Sequence, residues 1–343
     1  MFYLKYRPRT IEELDNLKVK EVVKKILSAK SMPHAFLFVG QKGTGKTSTA
    51  RILAKAINCL KRNPQGPSEP CNNCKNCLSI DSFSSPDVVE LDAASNRGIE
   101  DIKNLIKESN FYPMSNQYRV YIIDEAHMIT NDAFNALLKT LEEPPKSVVF
   151  ILATTNQEKI PSTIHSRCIL INFGRASKTE IVSMLKKIVK LEKINIDESV
   201  LGLIAQHSDH SFRDATKTLE ELVTQKKLSY EEGKQFLGLL HENFFVALQK
   251  KDLGTILSWI EDFNQSGGNY KHLIERLLDN LRLALLTKSG VKSEEDNEIA
   301  LDVKDIVILM KLLTEAYNNL KISPIESLPL EIAVVEYYNR KKL

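Results

Sequence analysis

The sequence predicts an α/β protein in which a five-stranded parallel sheet is followed by a purely helical region. Short, almost continuously apolar runs alternate with amphipathic stretches as far as about residue 175, which is the pattern of strands buried on both faces by crossover helices. Beyond that residue the strand signal stops, and only stretches with helical spacing follow. A glycine-rich loop, GQKGTGKTS, comes directly after the first apolar run.

The predicted strands are short apolar runs that end in polar or glycine-containing segments. They are HAFLFVG (34–40), DVVELDA (87–93), RVYIIDEA (119–126), SVVFILATT (147–155) and CILINF (168–173). Two of the stretches between them, IEDIKNLIKES and NDAFNALLKTLEE, have apolar residues at helical spacing. An α/β domain is therefore expected at residues 1–175.

The remainder of the chain is predicted to form two helical domains. SKTEIVSMLKKIVKLE, DESVLGLIAQHS and RDATKTLEELVTQ are amphipathic and carry Ser or Asp near their starts, so a small helical domain is expected at 176–228. Longer amphipathic stretches indicate an all-α domain at 229–343.

Charge and hydropathy exclude several classes of protein. Lys plus Arg number 47 against 44 Asp plus Glu, a net charge of +3, so bulk charge alone does not hold this chain to nucleic acid. No apolar run approaches the roughly 18 residues of a membrane-spanning helix, and no membrane partner is expected. The N-terminal MFYLKYRPRT lacks the apolar centre of a signal peptide, which makes the cytoplasm the expected location.

Four of the five cysteines lie close together, between residues 59 and 77. They are Cys59, Cys71, Cys74 and Cys77, and their spacing contains two CxxC steps. Four thiolates suit tetrahedral Zn²⁺ with every coordination position filled, so a structural zinc site is expected. Free thiols without a metal are the alternative.

Segment 40–48 has the spacing of a phosphate-binding loop between a predicted strand and a predicted helix. Glycines let backbone N–H groups approach phosphate oxygens, and a helix N-terminus favours an anion. Lys46 is predicted to contact the β- and γ-phosphates of a nucleoside triphosphate, and Thr47 to ligate Mg²⁺. The predicted nucleotide-contacting residues of the loop are Gly40, Gly43, Thr44, Gly45, Lys46, Thr47 and Ser48.

The string VYIIDEAH (120–127) places two carboxylates at the end of a predicted strand. Asp124 is predicted to hold Mg²⁺, and Glu125 to orient or deprotonate the attacking water. DEAH also suggests a helicase, but a helicase motor needs a second motor domain, and only helices follow this α/β domain.

Three further polar residues are candidates for hydrolysis of the bound nucleotide. Arg167, just before the last predicted strand, could reach the γ-phosphate in a neighbouring subunit, or be an ordinary surface arginine. Thr155 follows the fourth apolar run and could hydrogen-bond the γ-phosphate or the attacking water. Arg213, at the start of a later helix, could contact the same phosphate. A cap or a surface position is the alternative for Thr155 and Arg213.

Taken together, these motifs resemble the AAA+ family and, within it, the bacterial clamp loader ATPases of the DNA polymerase III gamma/tau group. The resemblance covers essentially the whole chain. It is carried by YRP (6–8), GQKGTGKTS, the four cysteines, ELDAASNRGIEDIK (90–103), YIIDEAHM, NALLKTLEEPP (135–145), LATTN (152–156), SRC (166–168) and SFRDA (211–215). The cysteines discriminate most strongly, because archaeal and eukaryotic small subunits are not expected to carry them.

The resemblance implies a role for each residue that matches a family motif. It implies that the catalytic residues are Glu125, Arg167, Lys46 and Thr155. Arg167 would be the arginine finger that acts on ATP in the adjacent subunit, and Thr155 would be sensor 1. For nucleotide binding it implies Arg213 as sensor 2, with Tyr6, Arg7 and Pro8 lining the adenine pocket. Arg97, at a helix start in SNRGIE, is implied to meet DNA phosphates, with a capping or surface role as the alternative.

The resemblance also implies a helical lid at 176–228 and a collar at 229–343 that holds five subunits in a ring. The implied cofactors are ATP, Mg²⁺ and Zn²⁺. The implied partners are copies of this chain, delta and delta-prime subunits, a sliding clamp and primed DNA. ATP binding would let the ring open the clamp, and hydrolysis would release clamp and DNA.

Two other functions stay open at this point. One is a ring subunit that binds ATP and hydrolyses it poorly, and the other is a different AAA+ DNA-remodelling ATPase, such as a Holliday-junction motor. The sequence also departs from the family pattern after YRPRTIEEL, where DNLKVKE replaces a VGQ string.

Overall fold

The computed structural model describes residues 1–29, 31–62, 69–96, 98–237, 242–249, 252–265, 270–290, 299 and 301–341. These residues form two compact units, Met1–Tyr230 and Glu231–Leu343. The first unit contains the sheet and the glycine-rich loop, and the described elements of the second are all helices. The predicted domain boundaries at residues 175 and 228 stay predictions.

A five-stranded parallel sheet forms the centre of the first unit, which confirms the predicted fold class. Its strands are β1 (Ala35–Gly40), β2 (Val88–Asp92), β3 (Arg119–Asp124), β4 (Val148–Thr154) and β5 (Ile169–Gly174). The order is β2-β3-β4-β1-β5, and all four pairings are parallel. Strand β1 therefore lies between β4 and β5. Because the strands are parallel, the carboxyl ends of β1, β3 and β4 lie at the same edge of the sheet.

Helices connect the strands of the first unit and continue after the last one. They are α1 (Phe2–Lys5), α2 (Leu17–Leu27), α3 (Lys46–Asn58), α4 (Lys75–Asp81), α5 (Ile99–Ser109), α6 (Asn131–Glu142), α7 (Ser162–His165), α8 (Lys178–Glu192), α9 (Glu198–Gln206) and α10 (Phe212–Thr224). The last three form the helical region predicted after residue 175.

The centre of the sheet is buried on both faces, because alternate residues of β1, β3 and β4 enter two separate apolar cores, whereas the edge strand β5 buries only Ile171 and Phe173 on one face. Phe36 and Phe38 of β1 pack in one core with α2 and α3. Leu37 and Val39 pack in the other core with α5 and α6. Burial on both faces explains why the strands read as continuous apolar runs.

The second unit consists of helices packed around one apolar core, which includes Phe244, Leu277 and Leu309. Its helices are α11 (Tyr230–Phe236), which begins at the last residue of the first unit, α12 (Glu242–Gln249), α13 (Leu253–Gln265), α14 (Tyr270–Lys288), α15 (Val303–Asn319) and α16 (Leu328–Lys341). In the part of the chain that the structure describes, no helix has the length and apolarity to cross a membrane.

Several helices, including α2, were not predicted from the sequence. The segment that forms α2, LKVKEVVKKIL, is rich in charge, yet Val19, Val23 and Leu27 recur every fourth residue and are buried. Asn16 begins the helix, since its side-chain oxygen accepts from the N–H of Val19 and its amide donates to the carbonyl of Phe173 at 2.8 Å. The N-cap therefore also attaches the helix to the end of β5.

Asp87, which is fully buried just before β2, holds the segment that leads into β3. Its carboxylate accepts from the N–H groups of Met114, Ser115 and Asn116 at 2.7, 2.8 and 2.9 Å, and from the Ser115 hydroxyl at 3.0 Å. Burial by itself raises the pKa of Asp87, but these donors favour the ionised form and hold its pKa below the usual range.

Replacing this carboxylate tests whether its charge stabilises the fold. Asp87→Asn would turn an NH₂ group toward N–H donors, so we expect the free energy of unfolding at neutral pH to fall by about 2–3 kcal/mol, measured by urea denaturation. Because the pKa is lowered in the folded state, the stabilisation is present above the unfolded-state pKa of about 3.9 and is lost as the pH falls through the folded-state value.

The difference in stability between the unmodified chain and Asp87→Asn should therefore narrow below about pH 4. The control is Asp262→Asn at an exposed helical position, which should change stability little at any pH. A difference of the same size at neutral and acid pH would contradict a role for the charge.

Candidate functional site

The glycine-rich loop lies where the sequence predicts it, between the end of β1 and the start of α3. Gly43 and Gly45 have positive φ angles of 79° and 98°, which L side chains rarely adopt. Gly45 is also the N-cap of α3. The first N–H groups of a helix have no partner within it, so this loop and helix terminus form a site suited to an anion.

Lys46 is buried in the loop. Its ammonium donates to the carbonyl oxygens of Gly40 at 2.7 Å and Gln41 at 2.9 Å. Burial lowers the pKa of Lys46, and the nearby carboxylates of Glu125 and Asp124 act in the opposite direction. Lys46, the predicted phosphate-binding residue, is therefore close enough to Asp124 and Glu125 for their charges to influence its pKa.

Asp124, the last residue of β3, contacts the phosphate-loop helix directly. The Thr47 hydroxyl donates to Oδ2 of Asp124 at 2.6 Å, and Oδ1 accepts from the N–H of Glu125 at 2.9 Å. A hydroxyl beside a carboxylate provides the hard oxygen ligands that Mg²⁺ prefers. The structure thus brings together the two residues predicted to hold Mg²⁺, although they are 77 positions apart in the chain.

Glu125 has a left-handed backbone, with φ 47° and ψ 43°, and precedes a short 3₁₀ helix, Ala126–Met128. Such a conformation costs a non-glycine residue roughly 1–3 kcal/mol and is often found at functional sites. The Thr155 hydroxyl donates to Oε2 of Glu125 at 3.0 Å. His127 also approaches this oxygen, with its Nδ1 at 3.4 Å. His127 was not predicted from the sequence, although it is two residues after Glu125 in the DEAH string.

The start of α10 lies against the phosphate loop. Ser211 is the N-cap of this helix, and the N–H of Phe212 donates to the carbonyl of Gly43 at 3.1 Å. Arg213 lines the cavity beside the loop, with its guanidinium 5.1 Å from the centre of the Tyr3 ring. Arg213 is therefore near the predicted phosphate position.

The N-terminal segment forms another wall of this cavity, which has a volume of about 620 Å³ and is lined by Tyr6, Arg7 and Pro8. The Tyr6 hydroxyl donates to Glu192 at 2.5 Å, and Nε of Arg7 donates to the Ser48 hydroxyl at 2.7 Å. The pKa of Arg7 is lowered, mainly because its guanidinium is buried. The volume is in the range that holds a small molecule.

Arg167 is not among the described residues that line the cavity. Its guanidinium forms an ion pair with Glu142 and donates to the carbonyl of Thr163 at 2.6 Å. Arg97 lies outside the described residues, so its predicted DNA contact has no structural account here.

The four clustered cysteines come together at the start of α4, and all of their Sγ atoms lie within 4.8 Å of one another. Backbone N–H groups of Cys71, Cys74 and Cys77 point at the Sγ atoms of Cys59, Cys71 and Cys74, at 3.4, 3.3 and 3.5 Å. Burial raises the pKa of the Cys71 thiol, but the hydrogen bonds outweigh it and lower that pKa to about 6. The pKa of Cys74 is lowered in the same way, whereas burial raises the pKa of Cys59 and Cys77. The thiolate is the form that binds metal.

The strand order, the phosphate loop after β1, the acidic pair after β3 and the helices that follow define an AAA+ P-loop fold. A RuvB variant from Thermotoga maritima has a similar solved structure, with a TM-score of 0.50 at 16% identity over 84% of this chain and 86% of that one. At this level of identity the likeness concerns the fold alone.

A protein-family model described as DNA polymerase III, delta subunit, matches residues 16–177. The chain is 31% identical to DNA polymerase III subunit gamma of Buchnera aphidicola subsp. Baizongia pistaciae, over 98% of this chain and 95% of that relative. It is 37% identical to DNA polymerase III subunit tau of Bacillus subtilis over 84% of this chain. The match covers 52% of that relative, so this chain spans about half of its length. The chain belongs to the DNA polymerase III gamma/tau family.

The close contact between Gly43 and Ser211 can be tested by adding one methyl group. In Gly43→Ala the new Cβ would lie 1.9 Å from the Ser211 hydroxyl oxygen, at a φ angle of 79°. Either α10 or the loop must move, so we expect a fluorescent ATP analogue to bind about tenfold more weakly, a loss of about 1.4 kcal/mol. Adding Ser211→Gly should restore part of the affinity, because glycine is tolerated as an N-cap.

Gly202→Ala is the matched control, because Gly202 lies inside α9 with open space around its Cβ position. It should leave the affinity unchanged and raise stability by up to about 1 kcal/mol through helix propensity. Unchanged analogue binding by Gly43→Ala would show that this contact is not needed for the site.

Proposed function

We propose that this chain is an ATPase subunit of the bacterial DNA polymerase III clamp loader, which uses ATP to load a sliding clamp onto primed DNA. One observation carries the proposal. This member of the gamma/tau family has its phosphate loop, its Thr47–Asp124 pair and its Glu125–Thr155 pair at one edge of the sheet. Replication in bacteria is a cytoplasmic process, which agrees with the location expected from the sequence.

Each residue of the site has a defined part in the proposed hydrolysis. Lys46 and the N–H groups of the loop would bind the phosphates of ATP, and Thr47 with Asp124 would hold Mg²⁺, which supplies positive charge to the β- and γ-phosphate oxygens. Glu125 would accept a proton from the water that attacks the γ-phosphorus, while the bond to the ADP oxygen breaks. Thr155 would hold Glu125 in place. Arg213 would neutralise phosphate charge from the α10 side.

Arg167 is proposed to act on ATP bound by the next subunit of a ring. Its absence from the described lining of its own cavity supports this role, and its ion pair with Glu142 keeps the guanidinium oriented until a phosphate replaces the carboxylate. An arginine supplied in trans stabilises the charge of the transition state and is worth about 10³–10⁵ in rate. The proposal therefore includes copies of this chain, with delta-type subunits, as ring partners.

The cysteine cluster is proposed to bind Zn²⁺ as a structural ion. In a tetrahedral site with Zn–S bonds of about 2.3 Å, sulfur atoms are about 3.8 Å apart, so a cluster within 4.8 Å needs little adjustment. Four thiolates fill the coordination shell and leave no position for a water, so the ion would stabilise the segment between α3 and α4 rather than take part in hydrolysis.

Removing one cysteine tests the metal site. Cys74→Ser should abolish stoichiometric zinc, measured by atomic absorption, and lower the free energy of unfolding by at least about 3 kcal/mol, since structural zinc binding supplies on the order of 10 kcal/mol. Cys168→Ser is the matched control, because this cysteine is outside the cluster. Full zinc content in Cys74→Ser, or no zinc in the unmodified chain, would contradict a four-cysteine zinc site.

A mixing experiment tests the ATPase and the position of Arg167 together. A Lys46→Ala chain still offers Arg167, and an Arg167→Ala chain still binds ATP. Each should be nearly inactive alone, whereas their mixture should regain ATP hydrolysis when clamp, primed DNA and delta-type subunits are present. Phosphate release measures the result.

Two outcomes would count against the proposal in different ways. If the mixture stays inactive while the unmodified chain is active, Arg167 does not act across a subunit boundary. If the unmodified chain binds ATP but does not hydrolyse it under any of these conditions, the chain is a scaffold subunit rather than a motor.

A further inference from the structure

His127 is held beside Glu125 by the turn that follows β3. The left-handed backbone at Glu125 reverses the chain into the 3₁₀ helix Ala126–Met128, and Ala126 is fully buried. The imidazole is itself largely covered, with 14% of its side chain exposed. Its Nδ1 lies 3.2 Å from the hydroxyl of Thr154 and 3.4 Å from Oε2 of Glu125.

The hydrogen bonds of Thr154 determine which ring nitrogen carries the proton. The Thr154 hydroxyl donates its single hydrogen to the carbonyl of Asn156 at 3.1 Å and accepts from the N–H of Asn156 at 3.0 Å. A hydroxyl has only one hydrogen, so its contact with His127 requires the ring to be the donor. The Nδ1 of His127 therefore carries a hydrogen and faces two acceptors, Thr154 and Glu125.

The two oxygens of Glu125 consequently differ. Oε2 accepts from the Thr155 hydroxyl at 3.0 Å and faces the Nδ1–H of His127 at 3.4 Å, whereas Oε1 receives no hydrogen bond from any described residue. A base that takes a proton from water needs one oxygen free and its orientation fixed. The Thr155 hydrogen bond, with the Nδ1–H of His127 close to the same oxygen, orients Oε2 and leaves Oε1 for the water.

We propose that His127 is a positioning residue, which holds Oε2 of Glu125 through Nδ1–H so that Oε1 faces the attacking water. This inference rests on the proposed ATPase function. Thr154 is fully buried at the end of β4, so it anchors the imidazole to the sheet. Because Thr155 follows directly, the hydroxyl that donates to Glu125 and the hydroxyl that anchors His127 both lie at the end of β4, and the base depends on β3 and β4 staying in register.

Three substitutions separate this role from simple packing. The amide nitrogen of His127→Asn can take the place of Nδ1, whereas the amide nitrogen of His127→Gln reaches only the position of Nε2. His127→Ala has no side-chain nitrogen. We expect kcat for ATP to fall about tenfold or more in the Ala and Gln variants, as a fraction of the 10²–10⁴ that a general base contributes. The Asn variant should stay within about threefold of the unmodified chain, with KM and ATP-analogue affinity unchanged in all three.

The ranking of Asn against Gln keeps the test valid if the Ala variant folds poorly. If Asn and Gln are impaired equally, or if none of the variants changes kcat, His127 does not position Glu125. Weaker ATP-analogue binding with unchanged kcat would also overturn the role, because a positioning residue for the base acts on the chemical step.

Glu125→Gln distinguishes failure of this inference from failure of the proposed function. An inactive Glu125→Gln variant together with a fully active His127→Ala variant overturns only the role of His127. Full activity in Glu125→Gln, or no hydrolysis by the unmodified chain, overturns the assignment of the base, and the positioning role is overturned with it. In the Glu125→Gln background, adding His127→Ala should cause no further loss of kcat.

Discussion

The parallel alignment of β1, β3 and β4 is the constraint on which the candidate site depends. Parallel strands place their carboxyl ends at the same edge of a sheet, and loops at that edge are where α/β proteins bind ligands. The phosphate loop follows β1, the acidic pair follows β3 and Thr155 follows β4. The hydrogen bond of 2.6 Å between Thr47 and Asp124 connects the first two of these segments. A strand pairing shifted by one residue would separate them.

The same edge is also where the helices after β5 return to the loop. Phe212 donates to the carbonyl of Gly43, and the Ser211 side chain occupies the space that a side chain on residue 43 would need. Glycine is therefore required there for two reasons, its positive φ angle and the close approach of α10. This contact joins the start of α10 to the phosphate loop, although the two segments are far apart in the chain.

Much of the site was predictable from the sequence because its residues occur in short, ordered strings. Strands buried on both faces are recognisable as continuous apolar runs, and the Gly-x4-Gly-Lys-Thr spacing identifies the loop. Helices such as α2 were harder to predict, because their charged residues outnumber the few buried positions. His127 was missed for another reason. Its partner Thr154 is 27 residues away, and local spacing carries no signal for that contact.

The sequence by itself determined the fold class, the phosphate loop, the acidic pair and the cysteine cluster, since each is a local pattern of residue types with its own chemistry. Only the tertiary structure decided which oxygen of Glu125 is held, that Arg7 contacts Ser48, and that Arg167 pairs with Glu142 outside the cavity. These contacts join residues that are far apart in the chain. They depend on the sheet order and on the path of the chain between strands, which are set by packing of the whole unit rather than by any single segment.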